Sequence, residues 1–316
     1  MAGKIIGQIG LGSLGREFVP HLQKKFGFLT IFDRDPSRVA PLVSHDVKGA
    51  RSSREVGRSS DVVLLCLPDP DAVRAVLLGP DGILGDSALT DGAGCKLLID
   101  CTTSDPKTAR EMAGLAASHG IVYVEAPVST PIAGASGPVA ARTGDATFLV
   151  GAEQGDLAAV EVVLSCLGRH IFHVGPVGHA SAMKLVTNFI AGVTRIGIAE
   201  GFALAAAMGI PCARTAEICR KAAAASQTLE EVIASVIEGD LGKVSFSVDL
   251  RYKDFRLTSE LAREMGVPMP VAAYATEFYQ GMRARGMGGM EMNNMVPYFA
   301  DLAGVDIYKG GRKPVR

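Results

Sequence analysis

Hydrophobic positions in the first half of the chain fall in short runs rich in Val, Ile and Leu. They span Lys4 to Ile9, Leu29 to Phe32, Val62 to Leu67, Lys96 to Ile99, Ile121 to Val124, Thr147 to Val150 and Ile171 to Val174. Runs this short and this apolar predict strands buried on both faces. Longer stretches of helical period lie between them. Leu14 to Lys25 is one, and another starts at Ser104-Asp105-Pro106 and ends near His119-Gly120. Buried strands joined by helices predict a mostly parallel sheet covered on both sides, occupying residues 1–177.

Beyond Gly175-Pro176-Val177-Gly178 the pattern changes to Ala-, Met- and Leu-rich helical period with few convincing strands, which predicts an all-α domain over residues 178–316. Its first helix, from about His179 to Met208, is apolar on nearly all sides and is expected to be buried, shared between domains or subunits. A membrane span is the rival reading. Lys184, Asn188, Arg195 and Glu200 interrupt the helix and argue against it. An apolar surface of that size predicts a homodimer or homotetramer. Gly286-Met287-Gly288-Gly289-Met290 reads as a flexible loop, and there is no internal repeat.

Composition narrows the function classes. The chain has 316 residues, 48% of them hydrophobic, enough for a well-buried core rather than disorder. A formal charge of -1 leaves no basic surplus for nucleic acid, and the small tail Lys309, Arg312, Lys313, Arg316 reads as a solvated end. The N-terminus lacks the layout of a signal peptide, so a cytoplasmic protein with no membrane association is expected. Six scattered cysteines without a C-x-x-C pair suit neither a zinc site nor a disulfide framework, so reduced core thiols are expected and no metal is invoked. Cys101, after a strand end, is the one candidate for an activated thiol.

The first motif with chemistry is Gly10-Leu11-Gly12-Ser13-Leu14-Gly15, which follows a predicted strand and opens a helix. That context makes G-x-G-x-x-G a dinucleotide fingerprint of a Rossmann domain. Gly10 permits the tight turn, Gly12 lets the backbone approach a pyrophosphate, and Gly15 lets helix and strand pack closely. The second strand ends in Asp33-Arg34, with the acid placed to accept hydrogen bonds from the adenosine ribose. Asp33 therefore favours NAD, while Arg34 keeps NADP open because a guanidinium neutralises a 2'-phosphate.

At the domain junction Lys184 and Asn188 are four residues apart on one helix and share a face. Burying a lysine and an amide without partners costs several kcal/mol. A lysine near a helix N-terminus and facing an oxidised nicotinamide has its ammonium disfavoured, as a general acid/base at neutral pH requires. An ion-paired structural lysine is the bland alternative. His119 and His179, at a helix end and a turn, read as ordinary surface residues.

With these residues in view, the chain resembles the β-hydroxyacid dehydrogenase family, which includes 3-hydroxyisobutyrate dehydrogenases, tartronate semialdehyde reductases and relatives of 6-phosphogluconate dehydrogenase. The resemblance spans almost the whole chain. Ile9 through Gly15 is similar to the family's cofactor signature, with Leu14 where Met is usual. Cys66-Leu67-Pro68 and Asp100-Cys101-Thr102-Thr103 resemble its strand-end segments beside the cofactor. Lys184 and Asn188 match its catalytic Lys and substrate-orienting Asn. Lys253-Asp254 matches a later Lys-Asp pair whose Lys lies near the cofactor. The resemblance implies hydride transfer between nicotinamide and the hydroxyl carbon of a small hydroxy acid, with Lys184 exchanging the hydroxyl proton.

One segment departs from the pattern. The family's substrate signature is an Asp followed by Ala-Pro-Val-Ser-Gly-Gly, where this chain reads Glu125-Ala126-Pro127-Val128-Ser129-Thr130-Pro131. Ser129 and Thr130 are the expected contacts to the substrate acid group. Pro131 has no N–H to donate, so a substrate shaped differently from the common small 3-hydroxy acids is expected. Two competing readings stand beside this one. An imine reductase of similar fold is disfavoured because that branch replaces the catalytic Lys. A non-catalytic dinucleotide sensor is disfavoured because Lys184 and Asn188 are both present.

Overall fold

The computed structural model describes residues 3–85, 94–129 and 137–313; Thr130 and Pro131 lie outside the described residues. The chain divides into two compact units, one taking the described residues up to Leu185 and the other those from Val186 onward.

The first unit is built on one sheet. Its strands are β1 (Ile6–Ile9), β2 (Leu29–Phe32), β3 (Val47–Gly49), β4 (Val62–Leu65), β5 (Leu97–Asp100), β6 (Val122–Glu125), β7 (Val128–Ser129), β8 (Ala146–Gly151) and β9 (Gly168–Gly175). They lie in the order β3-β2-β1-β4-β5-β6-β8-β7, with β9 beside β8. Pairing is parallel from β3 through β6, β8 runs antiparallel to β6 and β7, and β9 is parallel to β8. Successive residues of the central strands enter cores on opposite faces: Val62 and Leu64 join Phe18 and Leu22 on one side, Val63 and Leu65 join Val73 and Met112 on the other. This double burial is why these strands read as continuous apolar runs. Strand order reverses beside β1, and the crevice at such a switch point is where open α/β sheets bind ligands.

The connecting helices include α1 (Gly15–Phe26), α2 (Pro36–Val39), α3 (Ser53–Ser59), α4 (Pro70–Leu78), α5 (Pro106–Ser118), α6 (Gly137–Thr143) and α7 (Leu157–Leu164). Asp35, Ser52, Asp69 and Asp105 cap α2, α3, α4 and α5 through their side chains, whereas α1 has no side-chain cap.

The long helix α8 (His179–Ala207) runs 29 residues, passing from the first unit into the second. It is long and apolar enough to cross a bilayer, yet its buried side packs Ile196, Ala199, Phe202, Ala203 and Ala206 into the helical core. Within the single chain the opposite side of α8 is open. Met183, Val186, Ile190, Leu204 and Met208 are 40–77% exposed, because uniform apolarity does not say which side meets the core.

The second unit adds α9 (Cys212–Cys219), α10 (Gln227–Val236), α11 (Val248–Glu264), α12 (Pro270–Ala284) and α13 (Met295–Ala303). One sequence expectation changes here. The glycine-rich 286–290 segment is pinned by Asp249 N–H to Gly288 O and Val248 N–H to Met290 O, so it forms a tight turn at the start of α11. The basic tail is solvated where it is described, with Lys309, Arg312 and Lys313 exposed and the Lys313 ammonium paired with Asp301 at the surface.

Candidate active site

The glycine turn leaves β1 with Gly10 at φ +93°, its N–H donating to Phe32 O at 2.9 Å. A Cβ at Gly10 would lie 2.2 Å from Cys66 O, and one at Gly15 would lie 2.1 Å from Gly10 O. No side chain fits at either position. Gly12 is different: a Cβ there would find nothing closer than the Arg38 guanidinium at 3.9 Å. The open side of Gly12 and the uncapped N-terminus of α1 form a cradle suited to a pyrophosphate. Ser13 is exposed and Leu14 half-buried at its rim, while Leu11 is buried. The residues present fit the dinucleotide that the turn implies.

Two polar residues hold this cradle. Gln8, fully buried in β1, donates from Nε2 to Gly15 O at 2.5 Å. Sequence reading passed over it; the signal was an amide inside an apolar run. Asp33 is buried, and its carboxylate accepts Leu11 N–H at 2.8 Å and Asp35 N–H at 2.9 Å. Its first role is thus to stitch the glycine turn to the end of β2, with lone pairs left over for a ribose. Arg34 is exposed, and Arg38 reaches to 3.8 Å from the Asp33 carboxylate.

The loops after β4 and β5 interlock. Leu67 N–H donates to Thr102 Oγ1 at 3.1 Å, Thr102 N–H to Asp100 Oδ1 at 2.9 Å, and the Tyr123 hydroxyl to Asp100 Oδ2 at 2.6 Å. Leu67 and Thr103 are half-buried and Pro68 exposed. Burial pushes the Cys101 thiol far above its usual range and Cys66 up to about 12, so neither is an activated nucleophile at neutral pH. His119 and His179 are half-buried and exposed; the His119 ring bonds Leu115 O as a helix-end residue.

Ser129 is half-buried in β7, four residues beyond Glu125. Glu125 ends β6 and is almost fully buried. Its Oε1 accepts Gly178 N–H at 2.7 Å and Ala180 N–H at 2.8 Å, and its Oε2 accepts the Ser181 hydroxyl. Burial raises its pKa, and the bonds from Ser181, Ala180 and Gly178 oppose that rise. Lys184, one turn beyond Ser181, is buried, with 7% exposure.

In the second unit the Asn188 amide nitrogen donates to Asp254 Oδ2 at 2.7 Å, and Lys253 Nζ lies 3.3 Å from Asp254 Oδ1. Arg251 donates to the Asn188 main-chain carbonyl at 3.1 Å. Asp254 therefore selects the rotamer and flip of Asn188, a role the sequence did not assign. Asn188 follows Lys184 by one turn of the same helix.

Fold and site together define a class: a dinucleotide-binding α/β unit whose sheet leads into a helix carrying a buried lysine, as in NAD(P)-dependent dehydrogenases. The comparisons with known proteins agree. Residues 5–175 match the model of the NAD-binding domain of 6-phosphogluconate dehydrogenase, and residues 178–299 match that of the NAD-binding region of NADP-dependent 3-hydroxyisobutyrate dehydrogenase. The chain belongs to the β-hydroxyacid dehydrogenase family. It is 32% identical to 2-(hydroxymethyl)glutarate dehydrogenase of Eubacterium barkeri over 96% of this chain and 98% of that protein. It is 31% identical to 3-hydroxyisobutyrate dehydrogenase of Pseudomonas aeruginosa, over 86% of this chain and 89% of that one. Among solved structures, the 3-hydroxyisobutyrate dehydrogenase of Mycobacterium tuberculosis with L-serine is similar at a TM-score of 0.79 and 25% identity, covering 95% of this chain and 99% of that one.

Proposed function

We propose that this chain is an NAD(P)-dependent dehydrogenase that oxidises the CH–OH group of a β-hydroxy acid, or reduces the matching carbonyl, with Lys184 as general acid/base. The observation that carries the reading is Lys184 itself, buried early in a helix whose N-terminus is anchored to the sheet that bears the dinucleotide cradle. In oxidation the neutral Lys184 amine takes the hydroxyl proton, and in reduction its ammonium returns it. When bound, the nicotinamide accepts or donates the hydride. The Asn188 amide, held by Asp254, orients the reacting oxygen, and Ser129 receives the acid group. An intact Lys184 favours this chemistry over imine reduction and over a dinucleotide sensor.

NAD is the preferred cofactor in this reading, since the Asp33 carboxylate repels a 2'-phosphate. Arg34 and Arg38 beside it offset part of that repulsion, so the preference is expected at about tenfold, or ~1.4 kcal/mol. The outward face of α8, with Met183, Val186, Ile190, Leu204 and Met208, packs against a second copy to make a homodimer. A reducing, cytoplasmic setting suits the six free cysteines.

The test is a screen of hydroxy acids, including 2-(hydroxymethyl)glutarate, 3-hydroxyisobutyrate and L-serine, each with NAD and NADP and read by absorbance of the reduced cofactor. On the best substrate, Lys184→Ala should lower kcat by about 100-fold or more while leaving the cofactor Kd unchanged. Full turnover by that variant would overturn the mechanism. Sedimentation of Ile190→Glu against wild type tests the dimer, which should dissociate.

A further inference from the structure

Glu125 stands at a junction of three elements. It closes β6, it precedes by four residues the Ser129 of the substrate segment, and its carboxylate occupies the N-terminus of α8. The Gly178 and Ala180 N–H groups are backbone donors that the start of a helix leaves without intrahelical partners, and the Ser181 hydroxyl adds a side-chain bond to the same carboxylate. The neighbourhood is shaped around this group. Gly151, the register partner of Glu125 on β8, has no side chain, and a Cβ there would lie 2.3 Å from Glu125 Oε1. Gly178 turns into the helix at φ +101°, a conformation glycine adopts without strain. Burying an acid is costly, and burial does raise its pKa, so a plain helix cap on the surface would serve stability better.

The cost makes sense through what lies one turn further on. Ser181 and Lys184 are three residues apart on one helical face, so fixing Ser181 fixes the azimuth and height from which the Lys184 side chain departs. We propose that Glu125 is the positioning residue for Lys184, locking the first turn of α8 to the strand end that carries the substrate segment. Proton transfer needs the amine within hydrogen-bond reach of the substrate oxygen, and a displacement of about 1 Å costs on the order of 100-fold in rate. The inference rests on Lys184 being the general acid/base.

The test compares Glu125→Ala, Glu125→Gln and Ser181→Ala in the full chain by steady-state kinetics and by cofactor binding followed through calorimetric titration. Glu125→Ala should lose about 100-fold in kcat, with KM and the cofactor Kd within about threefold of wild type. Glu125→Gln keeps an acceptor for both backbone N–H groups and should retain kcat within about fivefold. Ser181→Ala removes the side-chain bond alone and should lose about three- to tenfold in kcat. Wild-type kcat in Glu125→Ala, equal impairment in the alanine and glutamine variants, or a loss carried by KM or cofactor Kd would each overturn the proposal. If Glu125→Ala does not fold, wild-type kcat in Ser181→Ala overturns it instead. Placing Glu125→Gln and Ser181→Ala on a Lys184→Ala background separates the two ideas. Activity at wild-type level in Lys184→Ala sinks the lysine reading, whereas a further drop caused by Ser181→Ala on the residual rate sinks the positioning role, because nothing remains to position.

Discussion

The carboxylate of Asp254 holds the amide nitrogen of Asn188 at 2.7 Å while its other oxygen faces the Lys253 ammonium at 3.3 Å. An amide has two chemically different ends, and this bond commits the nitrogen to Asp254 and leaves the oxygen as the end open to the proposed substrate. Asp254→Ala releases both neighbours, and kcat/KM should fall by about 10- to 100-fold. Asp254→Asn is the sharper variant, since an amide that turns its oxygen toward Asn188 loses the ion pair alone and should recover part of that loss. A kcat/KM for Asp254→Ala within twofold of wild type would remove Asp254 from the machinery.

Part of this was legible in the sequence and part was not. The parallel strands announce themselves because both faces are buried, leaving no polar alternation to confuse the pattern. Asp105-Pro106 was readable as a helix start, and Asp35-Pro36 and Asp69-Pro70 carry the same signal at α2 and α4. The strand β3 has only Val47 buried, so it offers no apolar run to read. Lys184 and Asn188 stand out as polar residues on an apolar helix. The Asn188–Asp254 bond spans 66 positions, and no local period records a pairing of that kind. Nor did the sequence show that Asp33 first serves the turn, because Leu11 N–H reaches it only once β1 and β2 are paired.

The glycines of the turn separate folding from binding. Gly12→Ala places a methyl where the nearest atom is 3.9 Å away, so the apo protein should melt within about 2 °C of wild type. The same methyl stands where the pyrophosphate approaches, and NAD affinity should fall by about 10- to 100-fold. Gly10→Ala would drive a methyl to 2.2 Å from Cys66 O at a φ of +93°, so it should lower Tm before any binding is measured. Calorimetric titration with NAD alongside thermal melts checks both, and a Gly12→Ala protein that binds NAD as wild type does would contradict the cradle.

The helical core holds a buried charge of its own at Arg195. Arg195 is 1% exposed and ion-pairs with Glu231, while its Nε and Nη1 have no hydrogen-bond partner among the described atoms. Burial lowers the Arg195 pKa, with Arg251 adding to that effect and Glu231 opposing it. Removing the partner strands a guanidinium, so Glu231→Ala should destabilise by about 3–5 kcal/mol. Replacing both members, Arg195→Met with Glu231→Leu, should recover most of that loss, since an apolar pair of similar volume carries no desolvation penalty. Urea denaturation of the two variants measures the difference directly.

Glu125 gives stability a pH dependence of definite sign. Its folded pKa lies above the ordinary 4.5, chiefly because burial penalises the carboxylate, so the folded state holds the proton more tightly than the unfolded one. The stabilisation this provides is complete below the unfolded pKa and is lost as pH rises through the raised folded value. Once ionised, the buried carboxylate is a net burden that the donors from Gly178, Ala180 and Ser181 only partly offset. Glu125→Gln removes the charge and keeps the acceptor. Its Tm should therefore gain on wild type as pH climbs from about 4 toward 7, with the difference levelling off once Glu125 is fully ionised. A Tm difference that stays flat across this range, or that moves in favour of wild type, would show that the donors at the helix end outweigh burial and would reverse the sign argued for this residue.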